Sequence, residues 1–353
     1  MTTPSDTKAY AAVAADQPLQ QQALTRRALR DDDVLIDIEY CGVCHSDLHT
    51  ARNDWGRTVY PIVPGHEITG IVREVGSAVT RHAAGDRVAV GCIVDSCKAC
   101  KYCDEQLEQY CLDGMTGTYG GVDRHDGTVT AGGYADRIVV RDEFVLRVPD
   151  SLDMAAAAPL LCAGITSYSP LRTWKVGPGS RVGVVGLGGI GHLGVKLAVA
   201  LGAEVTVITR SDSKAEDAAR LGAADCLSST DRDAMRASRD RFDFILDTVP
   251  VRHKITPYLS LLRVDGPLVI VGMIEQMPEM HSGHFINRRI VTGSGIGGIA
   301  QTQEMLDFCA EHKVAPDIER IEMHEINAAY DRLARSDVRY RFVIDIGRFR
   351  GAR

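Results

Sequence analysis

Short apolar runs separated by turn residues fill the first 150 residues of the chain. The runs are bounded by Gly, Asp or Pro, and they read VLIDIEY (34–40), ITGIVREVG (68–76), DRVAVG (86–91) and GGYADRIVV (132–140). Runs of this kind with turn residues at both ends are typical of β-strands. We therefore predict that the chain begins with a β-rich region.

The middle of the chain alternates between strand and helix patterns. Strands are predicted at RVGVVG (181–186), EVTVI (204–208), FDFILD (242–247) and GPLVIVG (266–272), and helices at 188–202 and 213–222. This alternation indicates βαβ units and a parallel sheet. After about residue 295 the pattern predicts a helix over 302–313, a strand over 318–323, a helix over 326–335 and a strand over 340–346. The basic C-terminal RFRGAR is expected to be a solvated tail.

Composition narrows the class of protein. The chain has 353 residues, 45% of them hydrophobic and 25% charged, which is ordinary for globular proteins of about two domains. The net charge of −7 argues against a nucleic-acid partner. The N-terminal region lacks a secretory pattern, and no apolar run approaches the roughly 18 residues of a membrane span. We therefore expect a cytoplasmic protein with no membrane partner and with reduced thiols.

Four cysteines lie close together in CKACKYCDEQLEQYC (97–111), at Cys97, Cys100, Cys103 and Cys111. Three thiols in a tight turn and a fourth from a returning loop can surround Zn²⁺ as a tetrahedron. A site closed by four thiolates has no open position, so it predicts a structural zinc rather than a catalytic one. An iron–sulfur cluster and a set of unligated thiols are the alternatives.

The segment GLGGIG (186–191) fits the G-x-G-x-x-G pattern of a dinucleotide-binding loop, between a predicted strand and a predicted helix. Gly186 is expected to make the tight turn and Gly188 to let the pyrophosphate approach the backbone, with Gly189 beside it. Gly191 is expected to let helix and strand pack closely. We predict a Rossmann cofactor site whose phosphates meet the N-terminus of the helix.

The tip of the next strand predicts which cofactor is bound. NAD sites usually place an acid there, whereas this chain has Thr209, Arg210, Ser211 and Lys214. Two cations and two hydroxyl groups suit a 2′-phosphate, which Arg can hold with two hydrogen bonds. We therefore predict NADP rather than NAD.

Taken together, these motifs resemble those of the zinc-containing medium-chain alcohol dehydrogenases. Within them the chain is most similar to the cinnamyl-alcohol-dehydrogenase-like branch and its bacterial broad-range aldehyde reductases. Besides the four-cysteine and glycine-rich segments, the resemblance is carried by CGVCHSDLH (41–49), YPIVPGHEITG (60–70), LLCAGITSYSPL (160–171), GSGIGG (293–298) and EMLDFCAEHK (304–313).

The resemblance implies a second zinc, which is catalytic and is held by Cys44, His66 and Cys162, so that two Zn²⁺ are expected per chain. Two cysteines, one histidine and an open fourth position are the ligand set known for alcohol dehydrogenase. By the same resemblance, Ser46 passes the alcohol proton through the nicotinamide ribose to His49, from which it reaches solvent.

Other family roles carry over in the same way. Asp47 and Glu67 match the acids that orient the zinc ligands. His45 and Arg341 are expected at the cofactor pyrophosphate, with Arg339 as the alternative to Arg341. The remaining cysteines, Cys41, Cys92, Cys226 and Cys309, match no ligand position and are interpreted as packing thiols.

The family's pocket positions predict the class of substrate. Trp55 offers an aromatic wall and Ile93, Met273 and Ile296 offer apolar ones, which favours aromatic or medium aliphatic aldehydes. Thr116 stands where plant lignin members carry a second Trp, so we expect broad specificity rather than a dedicated cinnamyl role.

The expected fold is α/β. A GroES-like β-rich catalytic domain over 1–156 and 295–353 is interrupted by a Rossmann domain over 157–294, with the active cleft between them. Apolar edge segments predict a homodimer joined through the Rossmann sheets. The alternatives are an NAD-linked polyol or secondary-alcohol dehydrogenase and, from another class, a non-catalytic zinc-bearing relative.

Overall fold

The computed structural model describes residues 5–272, 276–277 and 279–351. The chain divides into two units, one formed by Met1–Cys162 with Gly297–Arg353 and the other by Ala163–Ile296. The divisions after Cys162 and Ile296 fall later than the predicted 156 and 294.

The first unit is built mainly from strands. Its strands are β1 Ser5–Ala11, β2 Gln20–Arg26, β3 Asp33–Gly42, β4 Ile68–Val75, β5 Arg87–Val90, β6 Ile93–Asp95, β7 Thr116–Gly117, β8 Arg137–Arg141, β9 Leu146–Arg147, β16 Ile318–Glu322 and β17 Arg341–Asp345. Its α-helices are α1 His45–Ala51, α2 Lys101–Asp104, α3 Met154–Ala157, α9 Ile299–His312, α10 Ile326–Ala334 and α11 Ile346–Gly351. Short 3₁₀ helices cover Glu108–Tyr110, Asp142–Phe144, Ala158–Leu161 and Met323–Glu325.

A seven-stranded sheet organises this unit in the order β16-β17-β3-β4-β5-β9, with β8 also pairing with β3. Strand β3 alternates as expected for a half-buried strand, because Val34, Ile36 and Ile38 are buried whereas Leu35 and Asp37 are only partly so. The C-terminal strand β17 pairs with β3, so residues from both ends of the chain complete one sheet.

The second unit has the predicted alternation of strands and helices. Its strands are β10 Arg181–Val185, β11 Glu204–Thr209, β12 Asp225–Ser228, β13 Phe244–Asp247, β14 Pro267–Ile270 and β15 Ile290–Gly293. Its α-helices are α4 Ala163–Thr173, α5 Gly191–Ala200, α6 Ala215–Arg220, α7 Arg232–Ala237 and α8 Thr256–Leu259, with 3₁₀ turns at Asp212–Lys214 and Ser282–Phe285.

All pairings in the second sheet are parallel, in the order β12-β11-β10-β13-β14-β15. The order reverses between β10 and β13, which is the switch point where doubly wound sheets bind dinucleotides at the carboxyl ends of their strands. Strands β10 and β13 are buried on both faces, as strands covered by helices are. The predicted parallel Rossmann sheet is confirmed.

One prediction at the C-terminus was wrong. Residues 346–351 form helix α11 instead of a solvated tail. Arg350 donates a hydrogen bond to the Ile38 carbonyl at 2.8 Å and pairs with Glu39, so the basic segment is fixed against β3. Among the described residues no single helix is long and apolar enough to span a membrane, although the consecutive short helices Met154–Leu161 and Ala163–Thr173 together pass that test by length and composition.

Candidate metal centres and dinucleotide site

Three separate segments of the first unit bring Cys44, His66 and Cys162 together. Cys44 is the N-cap of α1, His66 lies just before β4, and Cys162 follows the 3₁₀ helix Ala158–Leu161. Their ligand atoms and one carboxylate oxygen of Glu67 all lie within 4.8 Å of one another. The two sulfur atoms are 3.9 Å apart, close to the roughly 3.8 Å expected for two thiolates bound to one tetrahedral zinc at about 2.3 Å each. We call these four residues the buried metal group.

The carboxylate of Asp47 orients this group. It is fully buried and accepts the backbone N–H groups of Cys44 at 2.9 Å and Gly65 at 3.1 Å. Its Oδ1 lies 3.1 Å from Nδ1 of His66. Because a carboxylate accepts hydrogen bonds, this pairing puts the ring proton on Nδ1 and leaves Nε2 available to a metal.

Glu67 and Arg341 form a buried ion pair beside the metal ligands. Burial raises the pKa of the Glu67 carboxyl to about 7, and the charge of Arg341 opposes that rise. The second carboxylate oxygen of Glu67 has no hydrogen-bond partner within the described residues. A Cβ on Gly42 would lie 1.9 Å from that oxygen, so only glycine fits at this position. The sequence predicted a phosphate role for Arg341, and its pairing with Glu67 was missed.

Helix α1 carries the residues predicted to relay protons. The hydroxyl oxygen of Ser46 lies 3.7 Å from the Cys44 sulfur. Three residues further on, Nδ1 of His49 lies 2.7 Å from a carboxylate oxygen of Asp54, and the His49 side chain is 38% exposed. Ser46 is therefore beside the metal group, whereas His49 is accessible to solvent.

The four cysteines of the loop after β6 form a second metal group, which we call the cysteine lobe. The ligand sulfurs of Cys97, Cys100, Cys103 and Cys111 lie within 4.8 Å of one another. Backbone N–H groups point at the sulfurs, from Cys97 to Cys111 at 3.3 Å and from Leu112 to Cys100 at 3.4 Å.

In the second unit, the glycine-rich loop joins β10 to α5. Gly186 has φ +88, which a residue with a side chain rarely adopts. A Cβ on Gly191 would lie 2.2 Å from the Gly186 carbonyl oxygen, whereas a Cβ on Gly188 would meet nothing within 4 Å. The loop is therefore closed by its first and third glycines and open beside the second, which leaves room for a phosphate to approach the backbone.

The tip of β11 lies next to this loop in the sheet. Thr209 ends the strand, and its carbonyl accepts the N–H of Ser229 at 2.7 Å. Arg210 and Ser211 follow and are exposed, and Lys214 ends the short 3₁₀ turn. The sequence did not predict this contact of Ser229 with the strand tip. Ser229 follows a strand tip, so its position in the pattern could have indicated it.

The residues predicted to line a substrate pocket belong to both units. Ile93 is buried, Trp55 is half-buried with its ring 5.6 Å from that of His49, and Ile296 is half-buried with φ +38. Met273 lies outside the described residues. Thr116 is buried and lines a cavity of about 300 Å³ that no member of the buried metal group lines.

Two tyrosines near the buried metal group were not predicted. The ring of Tyr119 lies 5.6 Å from that of His66, and the hydroxyl of Tyr134 donates a hydrogen bond to Asp47 at 3.3 Å. No sequence spacing links either tyrosine to the metal ligands. The two glycines before Tyr134 are the one local signal, because they mark a close backbone approach.

Comparisons with known proteins show the family of this chain. A family model described as "Alcohol dehydrogenase GroES-like domain" matches residues 30–150, and one described as "Zinc-binding dehydrogenase" matches residues 189–311. The chain is similar to NADP-dependent alcohol dehydrogenase C 1 of Mycolicibacterium smegmatis, with 54% identity over 98% of this chain and 99% of that protein. It is also similar to aldehyde reductase YahK of Escherichia coli, with 52% identity over 96% and 97% of the two chains.

Among solved structures, the chain resembles the cinnamyl alcohol dehydrogenase (CAD) of Helicobacter pylori complexed with NADP(H). The TM-score is 0.91 and the sequence identity 42%, and the match covers 98% of this chain and 99% of that one. The similarity therefore extends over both units of the fold.

Proposed function

This chain belongs to the zinc-binding alcohol dehydrogenases with a GroES-like domain, and we propose that it interconverts primary alcohols and aldehydes by reversible hydride transfer with NADP(H). Its relatives include proteins named NADP-dependent alcohol dehydrogenase and aldehyde reductase, which supports the reaction and the cofactor. The observation that carries the proposal is the buried group of Cys44, His66 and Cys162, gathered from three distant segments.

The donor chemistry of this group fits a catalytic zinc. Two thiolates and one imidazole are the family's ligands, and the sulfur separation of 3.9 Å matches one tetrahedral ion. When bound, zinc supplies a Lewis acid for the substrate oxygen, and the nicotinamide gives or accepts the hydride. Three ligands leave one position for substrate, whereas the cysteine lobe has four and would hold a structural zinc. We therefore propose two zinc ions per chain.

Residues around the metal ligands would orient them and transfer the substrate proton. Asp47 fixes the His66 ring through Nδ1. Glu67, paired with Arg341, places a buried carboxylate next to the ligands. Ser46 and His49 accept the alcohol proton in sequence and release it to solvent. The partial exposure of His49 and its short contact with Asp54 support its place at the outer end.

The cofactor residues are proposed from the second sheet and from the family resemblance. The loop of Gly186, Gly188, Gly189 and Gly191 would hold the pyrophosphate, with His45 and Arg341 contributing as the resemblance implies. The 2′-phosphate would lie among Thr209, Arg210, Ser211 and Lys214. The open space beside Gly188 and the exposure of Arg210 support this assignment.

The substrate is proposed to be an aromatic or medium aliphatic aldehyde or the matching primary alcohol. Trp55 and Ile93 offer an aromatic and an apolar surface in the first unit, and Met273 and Ile296 are proposed from the second. Tyr119 adds a second aromatic ring near His66, at 5.6 Å, although Thr116 stands where a Trp would be expected.

We further propose a cytoplasmic homodimer. Strand β15 is the edge of the parallel sheet, and its residues are only partly covered in the single chain. Nearby, Ile286 is 80% exposed. Pairing this edge with a second copy would satisfy its backbone groups.

A steady-state assay with benzaldehyde and either NADPH or NADH tests the proposed function. We expect turnover with each cofactor when it is supplied alone, and a higher kcat/KM with NADPH than with NADH. Higher kcat/KM with NADH would overturn the cofactor assignment. The absence of turnover with either cofactor, in protein that contains two zinc ions, would overturn the proposed reaction.

A further inference from the structure

The buried carboxylate of Asp47 accepts from four donors, and one of them comes from an unexpected place. Three donors are the backbone of Cys44, the backbone of Gly65 and the ring of His66, each of which is a metal ligand or directly precedes one. The fourth is the hydroxyl of Tyr134, at 3.3 Å from Oδ2. A carboxylate offers about four acceptor positions, so Tyr134 completes the set.

Glycines bring Tyr134 to this place. The segment 132–134 runs against the segment 63–65, and three backbone hydrogen bonds join them, from Gly132 to Val63 at 2.8 Å, from Gly133 to Gly65 at 2.8 Å and from Tyr134 to Pro64 at 3.0 Å. A Cβ on Gly132 would lie 2.3 Å from the Pro64 carbonyl oxygen, and one on Gly133 would lie 2.4 Å from the Ile68 side chain. The pair of glycines therefore permits an approach that places the tyrosine beside the ligand-bearing segment.

The hydrogen bond between Tyr134 and Asp47 is buried, so its loss would be costly. Tyr134 and Asp47 are both fully buried, with 0% exposure. An unmade hydrogen bond in such a place costs the desolvation of the group that loses its partner. The Tyr134 ring also packs against Gly65, because a Cβ on Gly65 would lie 2.7 Å from a carbon of the ring. Removal of the whole ring would therefore leave a cavity at this place.

We propose that Tyr134 is a positioning residue for the catalytic metal, acting through Asp47 on His66. The hydroxyl holds the Asp47 carboxylate in the orientation that points Nε2 of His66 at the ion. The inference rests on the proposed function, because it requires a metal held by Cys44, His66 and Cys162. Partners that orient a metal ligand from outside the coordination shell typically change metal affinity by about 10- to 100-fold.

The test uses the zinc-loaded protein and the change Tyr134→Phe, which removes the hydroxyl and keeps the ring. Zinc release to an excess of a chromophoric chelator is followed over time in the parent and the variant. The phase that is missing in a Cys162→Ala protein is assigned to the buried metal group, and the other phase to the cysteine lobe. We expect about tenfold faster release from the buried group and an unchanged rate from the lobe.

Tyr168→Phe is the matched control. Tyr168 is also buried, at 1% exposure, but it lies on α4 of the second unit. This variant should release both zinc ions at the parent rates. The visible absorption of protein with cobalt in the buried site gives a second readout, and its bands should shift in Tyr134→Phe but not in Tyr168→Phe.

The outcomes separate this inference from the proposed function. If the parent has no zinc phase that depends on Cys162, the proposed metal site is wrong. If that phase exists but Tyr134→Phe leaves its rate and the cobalt bands unchanged, the positioning role is wrong. Equal acceleration of both phases, or equal effects of the two variants, would assign the tyrosine a general structural role and also overturn the inference.

Discussion

The two metal groups of this chain are assembled in opposite ways. The cysteine lobe takes all four thiols from 97–111, and three of its four cysteines are only half-buried. The buried metal group takes its ligands from positions 44, 66 and 162, with Cys44 and His66 buried around a carboxylate. A closed set of four thiolates suits a structural ion, whereas three ligands in a buried place suit one that receives a substrate. Spacing within a short window therefore predicts the cysteine lobe, whereas the buried metal group depends on how the fold brings distant segments together.

Removal of a ligand from the buried group should give the largest effect on activity. We expect Cys162→Ala to lower kcat roughly 10³-fold or more, because the Lewis acid is worth several kcal/mol to the transition state. The free energy of unfolding should change little by comparison. Turnover and urea unfolding of the same preparation measure both quantities.

Cys92→Ala is the matched control for that variant. The Cys92 thiol lies beside that of Cys162 and donates a hydrogen bond to the Leu161 carbonyl at 3.8 Å, but Cys92 is not a member of the metal group. Its loss should leave zinc content and kcat within a few-fold of the parent. If Cys92→Ala lost zinc as completely as Cys162→Ala, the ligand set would have to be revised.

Cys103→Ala should show the reverse pattern. It opens the closed lobe, where its sulfur lies 3.6 Å from that of Cys100 and 3.9 Å from that of Cys97. Loss of a structural metal belongs to the most destabilising class of substitutions, so we expect a loss on the order of 3 to 4 kcal/mol in the free energy of unfolding. The kcat of the protein that remains folded should fall far less than in Cys162→Ala. If Cys103→Ala and Cys162→Ala changed the free energy of unfolding and kcat to the same extent, the assignment of one structural and one catalytic site would be wrong.

The same contrast between local and distant determinants runs through what the sequence could predict. The strands, the parallel sheet, the glycine-rich loop and the cysteine lobe follow from patterns within short windows. The pairing of Glu67 with Arg341 joins residues 274 positions apart, so no window contains it. Tyr134 was missed for the same reason, since its hydrogen bond to Asp47 forms only when 132–134 packs against 63–65.

The C-terminus illustrates a different limit. The segment RFRGAR carries no apolar period strong enough to predict a helix, and its charge suggested exposure. In the structure, Arg350 donates to the Ile38 carbonyl and pairs with Glu39 on β3, which makes a basic residue part of the packing. These contacts are made by the guanidinium group, whose partners come from a distant strand, so composition alone does not predict them.

A variant at the solvent-accessible His49 tests the proton path that is proposed to lead away from the buried metal group. His49→Gln should slow turnover near neutral pH by about 100-fold while both zinc ions are retained, because the role proposed for this imidazole is proton transfer and it belongs to neither metal group. His324→Gln, at another exposed histidine of the same unit, is the control and should match the parent. Parent-like rates and an unaltered pH profile in His49→Gln would remove His49 from the proton path.

The smallest expected effect concerns the tip of β11. Like the cysteine lobe, this tip was predicted from a short stretch of sequence. Arg210→Ala should raise the KM for NADPH roughly tenfold, since one charge-assisted hydrogen bond to phosphate is worth about 1.5 to 3 kcal/mol. The KM for NADH should barely change, because that cofactor has no 2′-phosphate for the guanidinium to hold. Arg220→Ala, a half-exposed arginine on α6 of the same unit, is the control and should leave the ratio of kcat/KM for the two cofactors at the parent value. If that ratio also stays at the parent value in Arg210→Ala, other residues hold the 2′-phosphate. The sequence at the tip of β11 would then have predicted the right cofactor but the wrong residues for its phosphate.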